Sequence, residues 1–210
     1  MVQDYKILKG FVSKIEAEEI KAWVDSLTED VGSPNHHLSE LSKVINGKSF
    51  IFDIANTPHT NYITKFQSIS AVKHGPVPEI IIKLIDRIAE TLKISKDHIF
   101  LQAVDMDSGG KIDPHYDASI EGYINYKCNL SVLSEDYMMH IDKNNVLIQE
   151  TDLYCFEASL YKHWTDSFKS RRVFLSFGFM VKYEEVGRTR LDPRVRLSRR
   201  IEKHFQKIKD

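Results

Sequence analysis

From residue 99 to 183 the chain is a succession of short alternating runs with no helical period among them, and this pattern restricts the fold more than anything else in the sequence. The runs fall at about 99–105, 111–117, 124–133, 137–141, 146–149, 152–157 and 170–183. Turn signals such as Asp107-Ser108-Gly109-Gly110 and Asp142-Lys143-Asn144-Asn145 lie between them. Strands at near-regular spacing with no helix between them predict an antiparallel sandwich or jelly roll.

The first third supplies helices to cover one face of that sheet. Phe11 to Leu27 carries apolar residues at helical spacing with Glu16, Glu18, Glu19 and Lys21 on the outer side. Ser13 with Glu16 three residues on reads as a capping box. Pro76 to Lys93 predicts a second amphipathic helix with Pro78 near its start. Residues 30–48 read as a polar loop, and Ser49 to Ile54 as a short strand. The expected organisation is α+β and a single domain over 1–210. Residues 1–98 would give helical support and a lid, 99–183 the jelly-roll core, and 184–210 a basic tail helix.

Within this frame, His115-Tyr116-Asp117 sits on a predicted strand, so His115 and Asp117 share a face and Tyr116 takes the other. His163 follows 48 residues later, where a strand leaves the barrel. Two imidazoles and one carboxylate form a facial triad, which leaves positions open and suits non-heme Fe(II). A second pair, His140-Ile141-Asp142, is read as a strand end and hairpin turn, because His163 follows His140 by only 23 residues and Asp142 opens a turn.

Arg172 completes the constellation. In Ser170 to Met180, alternation puts Val173, Leu175, Phe177 and Phe179 on one face, and Arg172, Phe174, Ser176, Gly178 and Met180 on the other. A guanidinium pointing into a barrel needs an anion, and the far carboxylate of 2-oxoglutarate would satisfy it by a bidentate pair. Ser176 would add a hydrogen bond. The competing readings are an internal Asp or Glu partner for Arg172, and Arg171 as the anchor, although Arg171 lies on the core side.

Composition narrows the class without naming it. The chain has 210 residues, 42% hydrophobic and 28% charged, with a formal net charge of −1, so its overall charge gives no reason to expect nucleic acid or membrane binding. No apolar run approaches the roughly 18 residues that a membrane span needs. Cys128 and Cys155 read as isolated buried thiols rather than a disulfide or metal pair, which fits a reducing compartment, the cytoplasm. Residues 186–210 hold nine Lys/Arg against three acids. They are read as a solvated tail helix over Val195 to Ile208, with a patch at 188–209 for nucleic acid or an acidic partner as the sharper alternative.

Taken in order, the strand and glycine turn Leu101 to Gly110, His115-Tyr116-Asp117, the strand end Leu133-Ser134-Glu135-Asp136, Thr151 to Phe156, His163 and Arg172 resemble the Fe(II)/2-oxoglutarate-dependent dioxygenases of the prolyl-hydroxylase-like branch. The resemblance covers roughly residues 99–183. It implies a double-stranded β-helix with N-terminal supporting helices, Fe(II) held by His115, Asp117 and His163, and 2-oxoglutarate anchored by Arg172. The implied reaction uses O2, releases succinate and CO2, and oxidises a substrate C–H. Asp117 favours hydroxylation or desaturation, because related halogenases carry a small residue there. The chain departs from the family pattern at Met106, where many relatives carry a Tyr. Phe174 and Gly178 replace the Asn and second Arg of nucleic-acid dealkylating members. The expected substrate is a small polar metabolite such as an amino acid or natural-product intermediate. A protein or nucleic-acid substrate docked on the basic tail is the second choice, and a non-enzymatic jelly-roll binding module the third.

Overall fold

A computed structural model describes residues 5–27, 44–55, 77–96 and 98–186. The described elements run β1 (Tyr5–Leu8), α1 (Lys14–Ser26), β2 (Val44–Ala55), α2 (Glu79–Leu92), β3 (His98–His115), β4 (Tyr123–Leu133), β5 (Tyr137–Ile141), β6 (Asn144–Ile148), β7 (Leu153–Glu157), β8 (His163–Thr165) and β9 (Arg172–Lys182), with a 3₁₀ turn at Tyr183–Val186. The strands pair in the order β1-β7-β4-β9-β3-β8-β5-β6, with β2 added to β3. Every pairing is antiparallel. This is the jelly-roll architecture the strand pattern predicts, a sheet curled on itself with two helices against one face.

The curl originates in β3. Its first half pairs with β9 from Ile99 to Met106, and its end pairs with β8 at Ile112 and His115. The expected reversal at Asp107–Gly110 is therefore not a turn. Gly109 has φ +81°, and Phe168 brackets it with two backbone bonds, Gly109 N–H to the Phe168 carbonyl at 2.7 Å and Phe168 N–H to the Gly110 carbonyl at 3.1 Å. The glycine bends one continuous strand from one layer into the next, a conformation open to it because it lacks a Cβ. Sequence reading also placed β2 too short, since the strand begins at Val44 inside the expected loop, and it missed β1 and the three-residue β8. The remainder of that loop, 30–43, and the tail from 187 lie outside the described residues, as does the helix expected over Val195 to Ile208.

Two cores follow from strand alternation. On the outer face, Ile20 and Val24 of α1 and Ile81, Leu84 and Ile88 of α2 pack on Leu101, Cys128, Leu130, Leu175 and Phe177. Cys128 and Cys155 belong here, free and fully buried. They are not isolated, because the register sets them directly opposite each other across β4 and β7. Burial pushes the Cys128 thiol well up, with the neighbouring Cys155 adding to it. Inside the curl a second cluster forms from Val104, Met106, Tyr137, Ile141, Tyr154, Phe156 and Phe174. No described helix is long and apolar enough to cross a membrane.

Helix α1 starts where the capping box predicts. Ser13 Oγ accepts from Glu16 N–H at 3.2 Å, and Glu16 returns a carboxylate to Ser13 N–H at 2.7 Å. Ser13→Ala is expected to cost about 1 kcal/mol in urea denaturation. An unchanged midpoint and slope would show that the cap contributes nothing.

Candidate metal centre

The site forms where β3 ends against β8. His115 and His163 are cross-strand partners there, with ring centroids 4.2 Å apart. Asp117 lies two residues beyond His115, and its backbone N–H donates to the Ala158 carbonyl at 2.9 Å, which pins the chain after the strand ends. One donor atom from each of His115, Asp117 and His163 falls within 4.8 Å of the others. His115 Nε2 stands 3.5 Å from Asp117 Oδ1, and His163 Nε2 stands 3.8 Å from Asp117 Oδ2.

The backbone selects the imidazole tautomers. Nδ1 of His115 lies 2.7 Å from the Asp113 carbonyl, and Nδ1 of His163 lies 3.0 Å from the Tyr161 carbonyl. A carbonyl only accepts, so each Nδ1 carries a proton, and each Nε2 is turned toward Asp117. His163 Nε2 is buried with no hydrogen-bond partner among the described residues. Burial pushes the His163 pKa down to about 3; Asp117 opposes this, while His115 and Lys127 add to it. For Asp117, burial pushes upward, but the Lys127 charge and the two imidazoles outweigh it and hold the carboxyl well below its usual range. A neutral His163 imidazole and an ionised Asp117 carboxylate are protonation states that a divalent ion requires. These residues therefore fit a metal of the Fe(II) type on donor chemistry and on the orphaned Nε2.

A pH dependence follows. Unfolded His163 titrates near 6.5 and the folded residue near 3, so between these values the unfolded chain binds more protons. Stability of the metal-free protein should fall as pH drops through that window, by up to about 1.4 kcal/mol per unit from this group. Asp117, depressed in the fold, has the same sign below its ordinary value of 3.8. Urea denaturation of His163→Gln should show a flatter profile between pH 6 and 4 than the parent. Parallel profiles would mean that the imidazole is not held neutral.

Arg172 is fully buried at the start of β9. No described acid pairs with it. Nη2 donates to the Tyr137 hydroxyl and, at 3.3 Å, to the Tyr154 hydroxyl. The guanidinium lies over the rings of Tyr137, Phe174 and Phe168 at 4.0, 4.3 and 4.6 Å. Its Nε and Nη1 have no hydrogen-bond partner among the described residues. Arg171, the competing anchor, points the other way and makes a two-point pair with Asp105 at 2.8 and 2.9 Å, with Asp25 alongside. Ser176 is buried on the Arg172 face, opposite Asn129 and Gln102.

The second HxD stands apart. His140 contacts Asn145 at 2.7 Å and Asp166 at 2.9 Å and stacks on Trp164, while Asp142 opens the β5–β6 turn with φ +52°. The 118–123 segment beside the site buries Ser119 and Ile120, and Ser119 Oγ donates to the Tyr123 carbonyl at 2.7 Å.

Three side chains at the site escaped the sequence reading. Tyr137 and Tyr154 bring hydroxyls to Arg172 from β5 and β7, and Lys127 on β4 places its ammonium on Asp117 Oδ2. One signal was available. Asn125, Lys127, Asn129 and Ser131 are polar at every second position of a strand whose other positions are mostly apolar, so the strand's inner face is polar by design of its alternation.

No family model matches the sequence, and no curated protein matches it significantly. Solved structures do match the fold. The viral collagen prolyl hydroxylase vCPH from Paramecium Bursaria Chlorella virus-1, in its 2OG complex, aligns with a TM-score of 0.56 at 14% identity over 86% of this chain and 97% of that one. OsALKBH1 aligns at 0.58 and 13% identity, over 85% and 99%. HygX from Streptomyces hygroscopicus, with nickel and 2-oxoglutarate bound, aligns at 0.53 and 10% identity, over 90% and 92%. The fold is thus that of the 2OG-Fe(II) oxygenases. Within that fold this particular chain carries a His-Asp-His cluster and, on the same interior, a buried arginine with no acid beside it among the described residues.

Proposed function

We propose that the protein is an Fe(II)- and 2-oxoglutarate-dependent oxygenase that hydroxylates or desaturates a small polar metabolite, such as an amino acid or natural-product intermediate. The observation that carries this reading is the pairing of the His115–Asp117–His163 cluster with Arg172. A triad alone would suit many metals. A fully buried guanidinium with two unsatisfied nitrogens, inside the same curl, calls for a dianion that also reaches the metal. When bound, the metal and cosubstrate supply an oxidation by O2 that releases succinate and CO2.

The chain's own residues do the rest. His115, Asp117 and His163 would hold the metal. Arg172, with the Tyr137 and Tyr154 hydroxyls, fixes the cosubstrate's far carboxylate. Phe156, whose ring lies 4.8 Å from that of His163, and the apolar cluster around it keep water out of the interior. The inner face of β4, with the unsatisfied Asn125 and Asn129 amide oxygens, gives polar contacts suited to a small polar substrate.

Anaerobic Fe(II) titration with and without 2-oxoglutarate tests the class. A visible metal-to-ligand charge-transfer band is expected only with both present, and its absence at saturating concentrations would sink the reading. A protein or nucleic-acid substrate is the second reading, motivated by the nine basic residues of 188–209. Deleting 186–210 should leave substrate preference unchanged for a small-molecule enzyme and abolish it for one that docks through the tail.

A further inference from the structure

We infer that Lys127 is a second cationic anchor for the cosubstrate, and that it takes the carboxylate beside the metal while Arg172 takes the distant one. The inference rests on the proposed function and assigns a role to a residue that neither the triad nor the arginine accounts for. The interior of the curl is a track that can be followed residue by residue. At one end Arg172 meets the Tyr154 hydroxyl. Tyr154 stacks on Phe156 with centroids 6.2 Å apart, and the Phe156 ring meets that of His163 at the other end. The strand register sets Asn129 opposite Tyr154 and Ser176, and Lys127 opposite Phe156 and Gly178. Asn129 therefore stands at the arginine end and Lys127 at the metal end.

The surroundings of Lys127 are close-packed but carry unsatisfied polar atoms. Its β9 partner is Gly178, where a Cβ would come within 3.2 Å of Asn125 Oδ1. Asn125 Oδ1 and Asn129 Oδ1, on either side of it along the strand, are buried with no hydrogen-bond partner among the described residues. The ammonium itself is mostly withdrawn from water, with 15% of the side chain exposed, and its described anionic partner is Asp117.

Asp117 is also the triad's carboxylate, and that sets up an exchange. A dication bound to Asp117 draws on the same charge that holds Lys127 and repels the ammonium. Two side-chain cations and a dication then face one described carboxylate. A dicarboxylate relieves this excess at both ends. Lys127 is thus expected to oppose metal binding alone and to favour cosubstrate binding once the metal is in place, which orders the two events.

The test uses the full chain with Mn(II) as a redox-silent ion, and reads binding by calorimetry rather than turnover. Lys127→Met should bind Mn(II) several-fold more tightly than the parent. The Mn(II)-loaded variant should bind 2-oxoglutarate about ten- to a hundredfold more weakly, the loss of one charge-assisted contact. Lys127→Arg should recover most of the cosubstrate affinity. Arg172→Met should lose 2-oxoglutarate affinity with Mn(II) affinity unchanged, so the two anchors are told apart. Unchanged 2-oxoglutarate affinity in Lys127→Met would overturn the inference. So would weaker Mn(II) binding, since that would make Lys127 a prop for Asp117. A parent protein that binds Mn(II) but no 2-oxoglutarate would instead overturn the proposed function. Melting curves on each variant check that it folds.

Discussion

Replacing Arg172 by methionine is expected to weaken 2-oxoglutarate binding to the metal-loaded protein by about a hundredfold and, at the same time, to leave the empty protein as stable as before or more so. The two signs come from one fact. The guanidinium is fully buried among aromatic rings with no acid beside it among the described residues, and two of its nitrogens are unsatisfied. Burying an unpaired charge is costly, so replacing it with an apolar side chain of similar length is expected to be neutral or stabilising. The change leaves the Tyr137 hydroxyl without its donor, at about 1 kcal/mol. Methionine suits the cage, since its thioether packs well on aromatic rings. With cosubstrate present the balance inverts, because two-point charge-assisted pairing is lost. Calorimetric titration and thermal melts of the same preparations read both quantities. A variant that unfolds would mean the arginine is structural, and one that binds 2-oxoglutarate normally would mean the anchor lies elsewhere.

Asp117→Ala should be the most damaging single change at the centre. Metal affinity is expected to fall by at least about a hundredfold, a range that loss of even outer partners can reach. Stoichiometric succinate formation from 2-oxoglutarate should disappear. The expectation goes beyond the loss of one ligand, because Asp117 is also the counterion that the structure gives Lys127. Without the carboxylate, an ion held by the two imidazoles alone would face an uncompensated ammonium. Inductively coupled plasma analysis of protein loaded without oxygen, together with succinate quantitation, checks both parts. Retained stoichiometric iron or persistent succinate would remove Asp117 from the centre.

The residues differ in how plainly the sequence announced them. His115 and Asp117 were readable because alternation alone puts residues two apart on one face. The same argument separated Arg172 from Arg171, one buried inside the curl and the other paired with Asp105 on the helix side. The hairpin at Asp142 and the capping box at Ser13 were readable because their chemistry is confined to a few neighbouring residues. Lys127, Tyr137 and Tyr154 were not. Each has ordinary neighbours in the chain, and its meaning comes from a partner 10, 35 and 18 residues away, respectively. Asp107–Gly110 misled in the opposite direction. Four turn-forming residues in a row suggest a reversal, but here Phe168 pairs across Gly109 and Gly110 and the strand continues through a bend.

The sequence by itself determined which side chains face the interior, because a two-residue period is local and survives any arrangement of strands. It also determined where α1 and α2 form and most of the stripe each buries, although Ile15, expected on the apolar stripe of α1, is exposed. Only the tertiary structure decided which interior residues meet. The pairing of β3 with β8 set His115 against His163, and the curl brought Tyr137 from a separate layer to Arg172. The pairing of β4 with β7 and β9 set Lys127 at the metal end of the interior and Asn129 at the other. Register between remote strands depends on the packing of both faces at once, and no window of the chain contains that information.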